Sequence, residues 1–248
     1  MPPRRWPEVH SLHWNNIPSA ILHGQKAVFE ALGIPLQQDN QNGTKHGIWM
    51  NDIIARSADE DIVVFCDIDA FPLNRTAYEQ AVEVASSGGL FGLAQFSNHK
   101  QSHAIYAGPM FMAFRKSLWL SAGSPDFKSS KTHDAGEAMS IACTQIGVPL
   151  TLIKPTACVV PKWGLKDQGL FGIGTFYGDN SFFHLFESRH PAHERLFEAV
   201  VADVATGSPL DFSRYLAVAH DHPSENSAHR KHSAWKRWWT RYFGKATS

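Results

Sequence analysis

Two aspartates one residue apart, Asp67 and Asp69, close the apolar run IVVFC (62–66), and further apolar residues follow at once. Carboxylates so spaced offer hard oxygen ligands of the kind Mg2+ and Mn2+ prefer. Mg2+ takes only one or two protein carboxylates and fills its shell with water and substrate phosphates. The pair is therefore better matched to an ion that grips a diphosphate than to a closed ion cage. The competing reading is local, with Asp67 capping a neighbouring backbone group and Asp69 opening a turn, as aspartate commonly does. A second acidic pair, Asp134 and Glu137 in HDAGE, has the three-residue spacing of a helix capping box. Between Lys162 and Asn180, five glycines (164, 169, 172, 174 and 178) crowd into KWGLKDQGLFGIGTFYGDN. That density predicts a mobile loop close to a ligand.

The elements around these residues alternate. EVHSLHW (8–14) reads as an opening strand, and PSAILHGQKAVFEALG as a helix started by Pro18 and stopped by Gly33. IPLQQ is a second strand, NQNG a turn, and HGIWMNDIIARS a helix whose apolar face holds Met50, Ile53 and Ile54. Residues 62–66 form a short strand buried on both faces, as inside a parallel sheet. NRTAYEQAVEVASS is a helix with Thr76 and Glu79 spaced as a capping box, and LFGLA is a strand. YAGPMFMAFRKSLWLS predicts a strand, a backbone turn at Gly108 and Pro109, and a short helix, with Met110, Phe111, Met112 and Phe114 in the core. A helix over HDAGEAMSIACTQIG, strands at VPLTLIKP and SFFHLF, and a helix over AHERLFEAVVADVA complete the body. Strands alternating with helices argue for a layered, largely parallel sheet. In such sheets ligands bind beyond the carboxyl ends of the strands, which is where Asp67 falls.

The chain has 248 residues, 43% hydrophobic and 19% charged, a globular composition. No apolar run approaches the ~20 residues needed to cross a bilayer, and MPPRRWPEVH lacks the apolar stretch of a secretory signal. The three cysteines, Cys66, Cys143 and Cys158, show no metal-ligand spacing and read as reduced, partly buried thiols of a cytoplasmic protein. The net charge of zero is unevenly spread. Six of the 23 Lys and Arg residues lie in 228–248, which holds no acid, so the first 227 residues carry 17 basic against 23 acidic side chains. In that tail Trp235, Trp238, Trp239, Tyr242 and Phe243 follow helical spacing, with the cations mainly elsewhere. Aromatics on one side and cations on the other predict an amphipathic helix lying on an anionic membrane surface, the inner face of the cytoplasmic membrane. Packing of the aromatics on the body is the alternative, and nucleic acid is the disfavoured partner.

The run IVVFCDID resembles the D-x-D strand of glycosyltransferases of the GT-A type. The order of segments is similar too: a strand–helix–strand–helix portion, the two aspartates, then YAGPMFMAFRK, HDAGE and SFFHLFESRH. The resemblance spans about Val9 to Val204. It implies an α/β, GT-A-like (Rossmann-like) fold, a mixed, mostly parallel central sheet flanked by helices. Residues 1–8 would be an N-terminal arm, 9–94 a nucleotide-binding half, 95–206 an acceptor half, 207–227 a connecting segment and 228–248 the tail. It further implies that Asp69 coordinates the metal, that Asp67 faces the ribose or metal-bound water, and that His184 completes the metal site. An imidazole ligand favours Mn2+ over Mg2+. His184 is otherwise a core histidine sharing a strand face with Phe182 and Phe186.

On the same resemblance, Asp134, with Glu137 as second choice, is the base that deprotonates an acceptor hydroxyl. His13, Trp14, His46, Gly47 and Asn51 contact the nucleotide. Lys162 and Lys166 face its diphosphate, Gly108 and Pro109 line the acceptor pocket, and Trp163 stacks on a sugar. The implied reaction moves a sugar from a nucleotide-sugar donor to a glycan or lipid-linked acceptor. Two rivals remain. One is a degenerate GT-A-like domain that only binds glycan or membrane. The other is a haloacid dehalogenase-type phosphohydrolase, whose motif normally has Thr or Val where this chain has Phe71.

Overall fold

The computed structural model describes residues 6–97, 100 and 103–220, so the basic tail 228–248 lies outside the described residues. Strand β1 (Val9–His13), helix α1 (Ser19–Ala31), β2 (Leu36–Asn40), α2 (His46–Arg56) and β3 (Ile62–Cys66) follow the sequence reading closely. Pro18 precedes the first turn of α1, and Gly33, at φ +63°, turns the chain after it. Beyond β3 come β4 (Ala70–Pro72), α3 (Arg75–Ser86), β5 (Leu90–Phe96), β6 (Ile105–Arg115), α4 (Lys116–Ser121) and α5 (Glu137–Gln145). The described chain finishes with β7 (Leu150–Ile153), β8 (Pro155–Gly164), β9 (Leu170–Tyr177), β10 (Phe182–Leu185), α6 (Pro191–Thr206) and α7 (Phe212–His220).

Six strands form the central sheet in the order β2-β1-β3-β6-β5-β7. The pairs β1/β2, β1/β3 and β5/β7 are parallel, whereas β6 runs antiparallel to both β3 and β5. The sheet is thus the mixed, mostly parallel one expected. A second, antiparallel sheet, β4-β10-β9-β8, stands against it. Strand β3 is buried on both faces because alternate side chains point to opposite sides. Val64 and Cys66 join the core with α1, α3 and α6, whereas Val63 and Phe65 meet Trp49, Met50, Ile53 and Ile54 of α2.

Several expectations are corrected. The glycine-rich stretch is the antiparallel β8/β9 hairpin, with only 165–169 left as its turn. A Cβ on Gly172 would sit 2.4 Å from the Val159 carbonyl oxygen, so the glycine permits close strand approach. Gly108 and Pro109 lie inside β6 and make no chain-reversing turn. The register there jumps from Leu93↔Gly108 to Gly92↔Met112, a bulge that accommodates a proline without an N–H. Helix α3 is capped by Asn74, which accepts from the Ala77 N–H at 2.9 Å, while Glu79 pairs with Arg75 instead of closing a box with Thr76. The expected connecting segment carries α7, tied to α6 by Tyr215 Oη donating to Asp203 Oδ2 at 2.6 Å. Met110, Phe111, Met112 and Phe114 are core residues, as expected.

Candidate metal and nucleotide site

The carboxyl ends of β1 and β3, the β6 bulge and β10 surround a cavity of about 430 Å³. Asp67 follows the last residue of β3, Asp69 sits in the turn to β4, and His184 is the third residue of β10. The pairing of His184 with Ala70, between β10 and β4, brings imidazole and carboxylates together. One ligand atom from each of Asp67, Asp69 and His184 lies within 4.8 Å of the others. His184 Nε2 is 3.4 Å from Asp69 Oδ1, and His46 Nε2 is 3.5 Å from Asp67 Oδ1.

These spacings fit a divalent ion. Ligands about 2.1 Å from an octahedral centre stand roughly 3 Å apart when adjacent and about 4.2 Å when opposite. His184 Nε2 and Asp69 Oδ1, 3.4 Å apart, already stand near adjacent-ligand spacing, and the trio as a whole closes modestly from its 4.8 Å spread to share one ion. His184 is 5% exposed, and its Nδ1 has no hydrogen-bond partner among the described residues. A buried imidazole left so is costly as a mere core residue, which favours the ligand reading over packing against Phe182 and Phe186.

The two carboxylates are pushed apart electrostatically. Burial raises Asp67 above the usual carboxylate range, and Asp69's charge adds to that, against the pull of His46 and His184. Burial acts the same way on Asp69. There, hydrogen bonding and charge from His184, with a hydrogen bond from Ser188, overcome it and hold the carboxyl below its ordinary value. Asp69 is thus the acid best prepared to stay ionised for a cation.

Of the expected residues, His13, Trp14, His46, Asp67, Asp69, Pro109, Asp134 and His184 line this cavity. Trp14 is held by its Nε1–H donating to Thr44 O at 3.0 Å, and His46, the first residue of α2, stacks on Trp49 at 5.4 Å. Asp134 lies just before α5, and the left-handed Gly136 takes the N-cap position. The capping box is half formed. Glu137 Oε2 accepts from the Asp134 N–H at 2.7 Å, while Asp134 Oδ1 accepts from Ala135 N–H instead. Tyr106 faces Asp134. Burial, and then the charges of Asp134 and Glu137, push its phenol far up, so it remains a neutral donor to that carboxylate.

The other expected residues stand off the wall. Glu137 is fully buried, its Oε1 accepting from Ser97 Oγ at 3.0 Å. A Cβ on Gly47 would lie 2.3 Å from the Phe127 carbonyl oxygen, and Asn51 bonds Asp126 Oδ1 and the Phe127 N–H. Both therefore secure α2 to the 126–128 segment. Lys162 ion-pairs with Glu187, and Lys166 lies 5.2 Å over the Phe96 ring. Trp163 packs edge-on against Phe186 at 4.9 Å, behind His184. Gly108 allows Gln95 to approach, since a Cβ there would meet Gln95 Cβ at 2.9 Å.

Gln95, Tyr106, Glu187 and Arg189 line the cavity without having been expected there. Arg189 is the cation on this wall. Its guanidinium sits 5.4 Å over Trp14, and its Nε–H donates to Asn16 Oδ1 at 3.2 Å. Tyr106, Glu187 and Arg189 lie in the segments YAGPMFMAFRK and SFFHLFESRH but hold no position that the resemblance assigns, and Gln95 lies in neither. The one cue is that Arg189 follows His184 by five residues.

Among solved structures the chain is similar to a Drosophila beta-1,4-galactosyltransferase 7 mutant in complex with manganese, UDP-Gal and xylobiose. Identity there is 14%, covering 60% of this chain and 65% of that one, with a TM-score of 0.42. It is also similar to a Pyrobaculum calidifontis mannosyltransferase in complex with GDP-Man and Mn2+, at 13% identity, covering 88% of this chain and 69% of that one, TM-score 0.44. A third is the 4-diphosphocytidyl-2C-methyl-D-erythritol synthase of Anaerococcus prevotii, at 8% identity, 60% and 89% coverage and TM-score 0.39. The chain spans 65% of the length of that galactosyltransferase structure. Likeness of this degree concerns strand layout and leaves the chemistry to the site. No protein-family model and no curated protein matches the chain.

Proposed function

We propose that the protein is a metal-dependent glycosyltransferase moving a sugar from a nucleoside-diphosphate sugar to a hydroxyl acceptor, a glycan or a lipid-linked one. The observation that carries this reading is the Asp67–Asp69–His184 cluster at the carboxyl end of β3, on the wall of a cavity about 430 Å³ in volume. Asp69 and His184, with Asp67, would hold Mn2+ or Mg2+. When bound, that ion supplies Lewis-acid neutralisation of charge on the departing diphosphate.

The chain's own groups divide the remaining work. Asp134 accepts the proton of the attacking hydroxyl, and Tyr106 orients its carboxylate by donating to it. His13, Trp14 and His46, at the ends of β1 and the start of α2, form the wall for base and ribose. Arg189 offers the leaving diphosphate a cation, the role the sequence had suggested for Lys162 or Lys166. Its hold on Asn16 and Trp14 fixes the guanidinium before substrate arrives, which spares ordering at the moment of reaction.

A thermal-shift panel of UDP-, GDP-, CMP- and dTDP-sugars, with and without Mn2+, tests the reading. One donor should stabilise the protein only with metal, and Asp69→Ala should abolish the shift. A folded protein stabilised by no donor would favour the non-catalytic scaffold instead.

A further inference from the structure

Gln25 is fully buried, yet it sits on the apolar face of α1 between Ile21 and Val28. Its Nε2 donates to the Asp67 carbonyl at 2.8 Å and to the Ala70 carbonyl at 3.0 Å. Those two carbonyls bracket the turn that carries both aspartates, which is closed by the Ala70 N–H donating to Asp67 O at 3.0 Å. Gln25 Oε1 accepts from Gln38 Nε2 of β2 at 3.0 Å, and Gln38 Nε2 also reaches Leu22 O at 3.0 Å. A donor on the oxygen and two acceptors on the nitrogen leave the Gln25 amide one orientation.

From this geometry we infer that Gln25, oriented by Gln38, is a positioning residue for the acidic metal cluster. The amide draws the Asp67 and Ala70 carbonyls toward α1, on the far side of the turn from the cavity that the two carboxylates line. Opposite, the Leu185 N–H donates to Asp69 O at 2.9 Å, so the turn is pinned from α1 on one side and β10 on the other. Without the amide, the Asp67 carbonyl keeps the Ala70 N–H and the Ala70 carbonyl keeps the weak Cys66 thiol donor at 3.2 Å, so the turn loses its strong tie to α1 and is free to rotate. The carboxylates would then leave ligand spacing of His184. Groups that orient metal ligands in this manner typically change metal affinity 10–100-fold when removed.

The inference rests on the cluster being a metal site, and the test separates the two claims. Mn2+ binding is titrated by the EPR signal of free Mn2+ in the wild type, Gln25→Leu, Gln38→Leu and the double variant. Ile53→Val, in the separate core behind α2, serves as a control for general destabilisation. Gln25→Leu should weaken Mn2+ binding at least ~10-fold, and Gln38→Leu should weaken it less. The double variant should be no weaker than Gln25→Leu, because the two amides act as one unit. Ile53→Val should bind as the wild type does. Should Gln25→Leu fail to fold, the Gln38→Leu loss carries the comparison. Unchanged affinity in both glutamine variants, beside a wild type that binds Mn2+, would overturn the positioning role alone. A wild type that binds no Mn2+ would overturn the metal site and the positioning role together.

Discussion

Gly172→Ala distinguishes a mobile glycine-rich loop from the β8/β9 hairpin by the sign of its effect. Gly172 pairs with Pro161 across the hairpin and is absent from the positive-φ glycines, so alanine suits its backbone. In a mobile loop the substitution would stabilise by about 0.4–1 kcal/mol, through lost freedom of the unfolded chain. In the hairpin the added Cβ meets Val159 O at 2.4 Å and Val160 O and Cys158 Cβ at 2.9 Å. Two of those three atoms are backbone of a strand that cannot swing aside like a side-chain tip. Overpacking of this kind costs about 1–3 kcal/mol. For a chain of this size each kcal/mol lowers Tm by about 2–4 °C, so the fall should be roughly 2–12 °C. Thermal and urea unfolding followed by far-UV circular dichroism measure it. A Tm equal to or above that of the wild type would refute the close strand approach.

Burial lowers the pKa of both His10 and His193, against raising influences from Glu8 and Asp39 on the first and Glu187 on the second. As pH falls through about 6.5 the unfolded chain takes up these protons before the folded one does, so stability should drop from pH 7.5 to 6. The urea midpoint checks this, His10→Gln should flatten the dependence, and equal midpoints at both pH values would contradict it. Burial pushes the Cys143 thiol up to about 11 and the Cys66 thiol well above its usual value, whereas Cys158 is only partly covered. Native protein at pH 8 should therefore release colour from dithionitrobenzoate with Cys158 alone, and all three thiols should react once it is unfolded; rapid reaction of more than one native thiol would refute the burial argument. Deleting residues 228–248 should abolish co-sedimentation with anionic vesicles, and unchanged co-sedimentation would remove the membrane assignment of the tail.

The first half of the fold was legible because each element there announces itself locally. Pro18 and Gly33 bracket α1, and an uninterrupted apolar run ending in acids marks β3 and its mouth. Glycine misled at 164–178, since it signals mobility in isolation but close backbone contact in a sheet, and only the partner strand decides which. Strand β4 is three residues long and shows no periodicity. At α3 two capping residues stand two positions apart, Asn74 and Thr76, and Asn74 prevails while Arg75 draws Glu79 away. In the site, the D-x-D pair stood out by type and spacing, whereas His184 was reached only through the family resemblance, with a core histidine as its alternative. Arg189, Tyr106 and Gln95 arrive through tertiary packing. Gln25 left a trace that went unread, a lone amide on an otherwise apolar helix face, where a buried polar group must have a partner.

Anomalous diffraction from crystals grown with Mn2+ and a nucleoside diphosphate tests the metal centre most directly. A peak shared by Asp69 and His184, with Asp67 beside it, is the predicted result. Bound nucleotide with no peak there, or with manganese elsewhere, would contradict it.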